Sequence, residues 1–349
     1  MLAILTLTFP FFALVACGYL AARFGMLALS AIPGLNGFVL FFALPCMLYR
    51  FGASAPVAQL FDAGVAFTYL FCGLLMLALC LALTRRGSLG WNDASFGALV
   101  AAFPNTGFMG VPLLVALLGQ AAATPVIVSL LVDMVFTSSL CIALSRLGAP
   151  GIAGDVAGIT GTASTATAQA GASSHARARQ AAGKALRGVA ANPLPWAILA
   201  GALVSWLQIA LPKPLASTVG LLADAASPVA LFTIGAVLAR SQFLARSDRT
   251  HDVPWQAAVP VALLKLFVHP LLVFGVGSAV MALGLPLDPF ALKVLVLLAA
   301  LPSASNVVLL AERYGADSGR IARIILISTA CAFFTFSGAV ALMSERGGS

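Results

Sequence analysis

Ten long runs of apolar residues occupy most of this chain, and they restrict its fold more than any other feature of the sequence. About 20 mostly apolar residues are enough for a helix to cross the hydrocarbon core of a bilayer. The runs are long and continuously apolar and do not alternate with a period of two, so they predict membrane-spanning helices and not the strands of a barrel. The predicted spans are Leu2–Ala22, Ile32–Tyr49, Gly64–Thr84, Ser95–Leu118, Thr124–Ser145, Leu194–Leu211, Ser217–Ala239, Gln256–Leu283, Pro289–Ala311 and Ile321–Met343.

The scarcity of charge agrees with a lipid environment. Only 9% of the 349 residues are charged and 61% are hydrophobic, whereas soluble domains carry about 25% charged residues. This composition excludes soluble enzymes, secreted disulfide scaffolds and disordered proteins, and it predicts an all-α polytopic membrane protein. The six cysteines show no pairing or metal-ligand spacing, so the sequence predicts neither a metal site nor a cofactor.

The basic residues orient the predicted spans. When the connections are assigned alternately to two sides, fourteen Lys and Arg residues fall on one side and four on the other. The richer side is cytoplasmic by the positive-inside rule, which predicts a multi-pass protein of the plasma (inner) membrane with both termini outside. The charges are dispersed between apolar runs and form no dense basic face, so no nucleic-acid partner is expected.

A segment of different composition separates the first five spans from the last five. Residues 151–172 are almost wholly Gly, Ala, Thr, Ser and Ile. They lack the large apolar side chains that build a core, which predicts a flexible cytoplasmic linker at 147–192. The predicted organisation is a five-helix repeat at 1–146, this linker, and a second five-helix repeat at 193–349.

The two groups of five spans share a local pattern. In the second span and again in the seventh, a proline is followed by leucine three residues later, by an aromatic residue, and by glycine seven residues after the proline, at Pro45–Gly52 and Pro228–Gly235. Because five is odd, a second copy would be inverted relative to the first, as in many transporters. The pattern therefore predicts two inverted five-helix repeats.

The fourth and ninth spans contain helix-breaking residues near their centres. Pro104, Gly107, Gly110 and Pro112 lie within nine residues of the fourth span, and Pro302 lies among serines in the ninth. Proline lacks a backbone donor and clashes with the preceding turn. Broken helices at membrane depth are tolerated only inside protein or beside a cavity, and paired breaks in two halves point to a transport site.

These motifs resemble those of the auxin efflux carrier family, including bacterial carriers of malonate or malate. The resemblance covers nearly all of the apolar chain. It implies ten helices in inverted repeats with crossing, proline-broken fourth and ninth helices, a scaffold domain that forms a homodimer, and elevator-type movement of the other domain. The motifs that carry it are Leu44-Pro45, Pro104–Pro112, Ser227–Gly235, and Leu301–Asn306 followed by Tyr314-Gly315.

A carrier of small organic anions needs positive potential at the membrane midplane without a permanent tight trap. The N-termini of half-helices supply it through free N–H groups and the helix dipole. Asn105 and Asn306 can add amide donors or can simply cap the half-helices, and both roles stay open. Ser303 and Ser305 are weaker candidates because serine often bonds its own helix backbone. The predicted substrate-binding residues are Pro104, Asn105, Thr106, Gly107, Pro302, Ser303, Ser305 and Asn306.

Three ionisable residues lie deep in the predicted spans, namely Asp133 in the fifth and Lys265 and His269 in the eighth. Charges inside a membrane are functional hypotheses by default. We expect an Asp133–Lys265 pair near the breaks, acting as a proton-sensitive group or as a fixed-charge replacement for a cation site. The alternative is a structural ion pair that orients helices. His269 could titrate near neutrality, although a hydrogen-bonded structural histidine is favoured.

The sequence favours a secondary carrier of small carboxylates, such as malonate, malate or auxin-like acids, and not an enzyme. The alternative is a sodium- or proton-coupled carrier of the same fold with another substrate, of the bile-acid or cation–proton type. A sodium site would need several oxygen ligands around the breaks, which one aspartate beside a lysine does not supply. An intramembrane hydrolase using Ser303 and His269 is disfavoured because the chain contains no GxSxG or HExxH motif.

Overall fold

A computed structural model of the chain describes residues 2–54, 62–85, 89–145, 193–247 and 255–345. These residues are helical apart from short connections and one antiparallel bridge between Pro104 and Ser303. The linker predicted at 147–192 lies outside the described residues. The division of the chain into two repeats around that linker therefore stays a prediction.

Twelve helices, some with a wide or tight turn inside them, account for the described residues, and we number them in chain order. They are α1 Leu2–Arg23, α2 Leu29–Ser54, α3 Ala63–Thr84, α4 Trp91–Ala102, α5 Thr106–Leu118, α6 Gln120–Ser145, α7 Pro193–Trp206, α8 Lys213–Ser247, α9 from Trp255–Leu263 through Leu264–Val268 to His269–Ala282, α10 Pro289–Ala299, α11 Val307–Tyr314 and α12 Ser318–Glu345.

The described helices are those of a multi-pass membrane protein. Six of them, α2, α3, α6, α8, α9 and α12, are long and apolar enough to cross a bilayer by length and composition. Shorter apolar helices occupy the remaining four predicted spans, at Thr8–Arg23, Thr106–Leu118, Pro193–Trp206 and Pro289–Ala299. Every predicted span thus contains an apolar helix, while the number of ten crossings stays a prediction.

Four wide, π-helical turns interrupt the regular winding of the described helices. Three of them end two residues before a proline. A proline cannot donate a hydrogen bond to the carbonyl four residues earlier, and its ring clashes with that carbonyl. In each of these three turns the carbonyl belongs to the central residue of the turn. Widening the turn therefore relieves the clash. These turns are Val39–Ala43 before Pro45, Thr106–Gly110 before Pro112 and Leu264–Val268 before Pro270. The fourth, Asp133–Thr137, has no such proline.

The broken fourth and ninth spans lie at the centre of the protein. All residues of α4 from Ala94 to Ala102 are buried, as are those of α10 from Val294 to Ala299. A helix that is apolar all round and buried all round is a core helix. The outer helices instead expose apolar side chains, as lipid-facing helices do. The interrupted backbone is therefore surrounded by protein, as a break at membrane depth requires.

Two close crossings join the outer helices. α1 crosses α8 where Gly18 meets the backbone of α8 and Gly235 meets that of α1, and α2 crosses α7 in the same way at Gly52 and Gly201. A Cβ at Gly235 would lie 2.6 Å from a backbone nitrogen of α1, and one at Gly52 would lie 2.6 Å from a backbone oxygen of α7. Only residues without a Cβ permit such an approach. The glycines that end the shared pattern of the two halves are thus packing residues.

The sixth predicted span is shorter than its apolar run. It was expected to reach Leu211, but α7 ends at Trp206 and the chain turns at Gln208, whose φ is 53°. A left-handed residue typically ends a helix. α8 then begins at Lys213, four residues before the predicted start, so the apolar residues between the two helices form a connection.

Candidate functional site

The two helix breaks lie against each other and are joined by backbone hydrogen bonds. Pro104 and Ser303 form an antiparallel bridge. The N–H of Asn105 donates to the carbonyl of Pro302 at 2.9 Å, and the N–H of Ala304 donates back to the fourth span at 3.0 Å. The residues that the sequence marked separately in two halves of the chain therefore form one crossing, which we call the crossing site.

Two helix N-termini meet at the crossing site. α5 begins just after Asn105 and α11 begins just after Asn306. In the described part of the chain, no acceptor is found for the backbone N–H groups of Gly107 and Phe108 at the start of α5, or of Ser305 and Asn306 at the start of α11. Unpaired donors at helix N-termini favour anions, because their partial charges and the helix dipole add.

Some polar side chains at the crossing site also lack a hydrogen-bond partner within the part of the chain that the structure describes. Asn105 is 2% exposed, yet its side chain makes no capping hydrogen bond. Of the two roles considered for this residue, the capping role is therefore not seen, and the role of ligand stays a prediction. Ser303 Oγ and Asn306 Oδ1 are buried, and neither has a partner within the described residues. A buried polar group without a partner is costly, so these groups indicate a place that water or a ligand fills.

The remaining predicted residues are held by their surroundings. The Thr106 hydroxyl donates to the carbonyl of Pro104 at 3.3 Å, and Ser305 is buried at the start of α11. The N–H of Ser303 donates to Ser328 Oγ on α12 at 3.2 Å. Ser328 was not predicted, although a hydroxyl inside an apolar span was the available signal. Through this bond, the tenth predicted span fixes the break in the ninth.

Lys265 lies at the C-terminal end of the half-helix α10. It is fully buried, and its Nζ donates to the carbonyl of Ala299 at 2.8 Å and to Nδ1 of His269 at 2.9 Å. Ala299 is the last residue of α10, where carbonyls lack partners and a cation is favoured. Since an ammonium can only donate, Nδ1 of His269 is the acceptor. His269 is thus a hydrogen-bonded histidine, although its Nε2 has no partner among the described residues.

Asp133 has a different partner from the one expected. Its Oδ2 accepts a 2.7 Å hydrogen bond from the hydroxyl of Tyr69 on α3, and both side chains are buried. Both residues are described, and no ion pair joins Asp133 to Lys265 there, although the two groups interact through space, so the direct contact expected from the sequence is not seen. Their positions in the sequence place both charged residues deep in the spans. The direction in which each side chain points depends on how α6 and α9 are rotated about their own axes. Tyr69 was missed because a tyrosine in an apolar run gives no sign of its partner.

A surface cavity of about 560 Å³ lies elsewhere, at the ends of α2 and α7 and the start of α8. Tyr49, Arg50 and Gln208 are among its lining residues, and it contains none of the predicted site residues. We take the crossing site as the candidate functional site, because the unpartnered backbone donors lie there and not around the cavity.

Comparison with known proteins identifies the family to which this chain belongs. The family model described as "Membrane transport protein" matches residues 3–340. A protein of Rhizobium meliloti (strain 1021), provisionally described as a malonate transporter, is 30% identical over 340 residues, which cover 97% of this chain and 95% of that protein. Auxin efflux carrier component 4 of Arabidopsis thaliana is 38% identical over 93 residues, or 26% of this chain and 15% of that carrier. The chain belongs to the membrane transport protein family that includes the auxin efflux carriers.

Proposed function

We propose that this membrane transporter is a secondary carrier of small carboxylates, with malonate-like dicarboxylates as its substrate class, and that it holds them at the crossing site. The observation that carries this proposal is the meeting of two half-helix N-termini with unpartnered N–H groups beside the amide of Asn105. The similarity to a protein described as a malonate transporter supports the substrate class.

The donors at the crossing site suit reversible anion binding. Four backbone N–H groups, from Gly107, Phe108, Ser305 and Asn306, can donate to carboxylate oxygens. Hydrogen bonds to an ionised acceptor are stronger than neutral ones, so a few of them can replace part of the hydration of the anion. The described residues of the crossing site, 104–107 and 302–306, include no Lys or Arg, so release of a carboxylate from them need not break a salt bridge.

Lys265 supplies a buried amino group, positively charged when it is protonated, to the same region. Its ammonium occupies the end of α10, where a coupling cation would otherwise find carbonyl ligands. Because the carbonyl of Ala299 is already bonded to this ammonium, a sodium ion would have to displace it. These contacts therefore support Lys265 as the occupant of this place over the sodium-coupled alternative.

The packing supports the architecture that we propose. In an inverted repeat α1 corresponds to α7 and α2 corresponds to α8, so the crossing of α1 with α8 is equivalent to the crossing of α2 with α7. Both crossings are packed through pairs of glycines. We propose inverted repeats at 1–146 and 193–349, with α1, α2, α7 and α8 as a scaffold and the other helices as the moving body. The proposed assembly is a homodimer in the plasma (inner) membrane, with ten crossings, both termini outside and the 147–192 segment in the cytoplasm.

Counterflow in proteoliposomes tests this function. Purified protein in vesicles preloaded with unlabelled malonate is expected to take up labelled malonate transiently, and Asn105→Ala is expected to reduce the initial rate at least tenfold. Asn36→Ala in α2, outside the crossing site, is the matched control and is expected to retain the rate. Absence of counterflow with every mono- and dicarboxylate would refute the carrier. Turnover of an ester or peptide by the same preparation would instead support a hydrolase.

A further inference from the structure

Tyr69 is a buried phenol to which the proposed substrate contacts assign no role. Its side chain is 2% exposed, and its hydroxyl donates at 2.7 Å to Asp133, which is 1% exposed. Thr106, whose hydroxyl donates to the carbonyl of Pro104, is a neighbour with which this phenol interacts electrostatically. Because Thr106 is the first residue of α5, Tyr69 connects the buried acid on α6 with the N-terminal end of a half-helix.

The carboxylate of Asp133 and a bound substrate would be stabilised by the same helix end. The N-terminus of a helix attracts negative charge within its first turn. The phenol of Tyr69, which donates to Asp133, also interacts electrostatically with Thr106 at the start of α5. An ionised Asp133 therefore repels a substrate carboxylate at the start of α5, and this repulsion is strong where water is excluded. A neutral Asp133 removes the repulsion.

Asp133 can change its charge without breaking an ion pair. Lys265 on α9 interacts with Asp133 only through space, because its ammonium is bonded at the end of α10 and to His269. An acid in a direct buried pair resists protonation, since its loss of charge would leave a lysine uncompensated. The titratable groups that interact electrostatically with Asp133 or with its partner Tyr69 are Lys265 on α9, Cys72 on α3 and Cys141 on α6.

The backbone around Asp133 is also unusual. Asp133 opens the π-helical turn Asp133–Thr137, the one wide turn of the described helices that no proline explains. Its carbonyl accepts a 2.9 Å hydrogen bond from the hydroxyl of Ser138, which helps to satisfy the shifted backbone. π-Helical turns are frequent at functional sites, and no proline accounts for the turn at Asp133–Thr137.

We propose that Asp133 is the proton-binding site of the carrier and that Tyr69 couples its protonation to the crossing site. This inference rests on the proposed carboxylate carrier and adds its coupling ion. An ionised Asp133 can only accept, so Tyr69 donates to it. When Asp133 takes up a proton from water, its new O–H donates to the phenol oxygen, and the phenol O–H turns toward Thr106 or the substrate. Only O–H bonds change, and one proton travels with each substrate.

Gradient-driven uptake tests the role of Asp133. Wild-type proteoliposomes are expected to accumulate labelled malonate when the outside is more acidic, and to lose this accumulation with a protonophore. Asp133→Asn keeps an acceptor for Tyr69 and imitates the neutral acid. We expect this variant to retain malonate counterflow but to lose the gradient-driven accumulation.

The pH dependence of binding tests the role of Tyr69. For the wild type, the concentration of malonate that half-saturates counterflow is expected to rise about tenfold or more as Asp133 ionises. Tyr69→Phe is expected to flatten this dependence while counterflow continues. Tyr49→Phe is the matched control, because the hydroxyl of Tyr49 has no partner in the described structure, and it is expected to behave as the wild type.

Each outcome has a separate meaning. Absence of counterflow in the wild type would refute the carrier itself. Wild-type counterflow without gradient-driven accumulation, or full accumulation by Asp133→Asn, would refute proton binding at Asp133 and leave the carrier intact. An unchanged pH dependence in Tyr69→Phe would refute the coupling through Tyr69 alone.

Discussion

Replacing Gly235 by alanine should separate two helices that the fold holds in backbone contact. The new Cβ would lie 2.6 Å from the backbone nitrogen of Tyr19 and 2.9 Å from the carbonyl carbon of Val15, and it would meet the oxygen of Val15 still more closely. These are backbone atoms in the middle of α1, so no side chain can rotate away to make room. Gly220 lies on the same helix α8, and a Cβ there meets nothing within 4 Å.

The two substitutions are expected to act in opposite directions. Non-bonded carbon atoms pack at about 3.5–4.0 Å, so the methyl group at Gly235 overlaps the backbone of α1 by roughly an ångström. Overpacking of this kind costs about 1–3 kcal/mol, and a rigid backbone neighbour sets the cost near the upper value. Alanine in a helix gains about 1 kcal/mol over glycine. We expect Gly235→Ala to lose roughly 2 kcal/mol and Gly220→Ala to gain roughly 1 kcal/mol.

Thermal unfolding of the purified variants measures this difference. The four tryptophans provide an intrinsic fluorescence signal in detergent. A difference of about 3 kcal/mol corresponds to roughly 4 °C in Tm for a chain of this size. Gly52→Ala should behave like Gly235→Ala, because Gly52 closes the second crossing in the same way. A Tm for Gly235→Ala equal to or above that of Gly220→Ala would refute the close crossing.

Three further predictions concern the crossing site and its supports. Ser328→Ala removes the acceptor of the Ser303 N–H and should weaken malonate binding roughly threefold to tenfold by isothermal titration; unchanged affinity would contradict a positioning role. Lys265→Met removes a buried ammonium from the end of α10, so counterflow should be lost while Tm stays within a few degrees; normal counterflow would show that the charge is dispensable. Arg320→Lys should lower Tm, because a flat guanidinium lies against Gly97, and an unchanged Tm would argue against that packing.

The positions of the helices and their breaks could be predicted from the sequence because they depend on local chemistry. The lengths of the apolar runs predicted the positions of the spans, and Pro104 and Pro302 predicted the positions of the breaks. The prolines also explain three of the four wide turns, although the turns themselves were not predicted. The end of α7 was misplaced because the left-handed turn at Gln208 leaves no trace in the composition of the run.

The contacts of the site could not be predicted, because they join residues far apart in the chain. The hydrogen bonds between the two breaks depend on how α4 and α10 cross, which hydropathy does not specify. Asp133 and Lys265 were expected to pair because both are deep and opposite in charge. Asp133 instead accepts a hydrogen bond from Tyr69, and Lys265 donates to a carbonyl at the end of α10. The rotation of each helix about its axis decides which neighbour its side chain can reach.

The central claim is that the crossing site binds a carboxylate, and ligand-induced thermal stabilisation measures it most directly. A ligand that binds only the folded protein at 100 times its Kd adds about 2.7 kcal/mol of stability. A panel of mono- and dicarboxylates should therefore include one acid, malonate or a close analogue, that raises the Tm of the wild type and of Asn36→Ala by several degrees. The same acid should leave the Tm of Asn105→Ala unchanged. Equal stabilisation of Asn105→Ala, or no stabilisation of the wild type by any carboxylate, would contradict binding at the crossing.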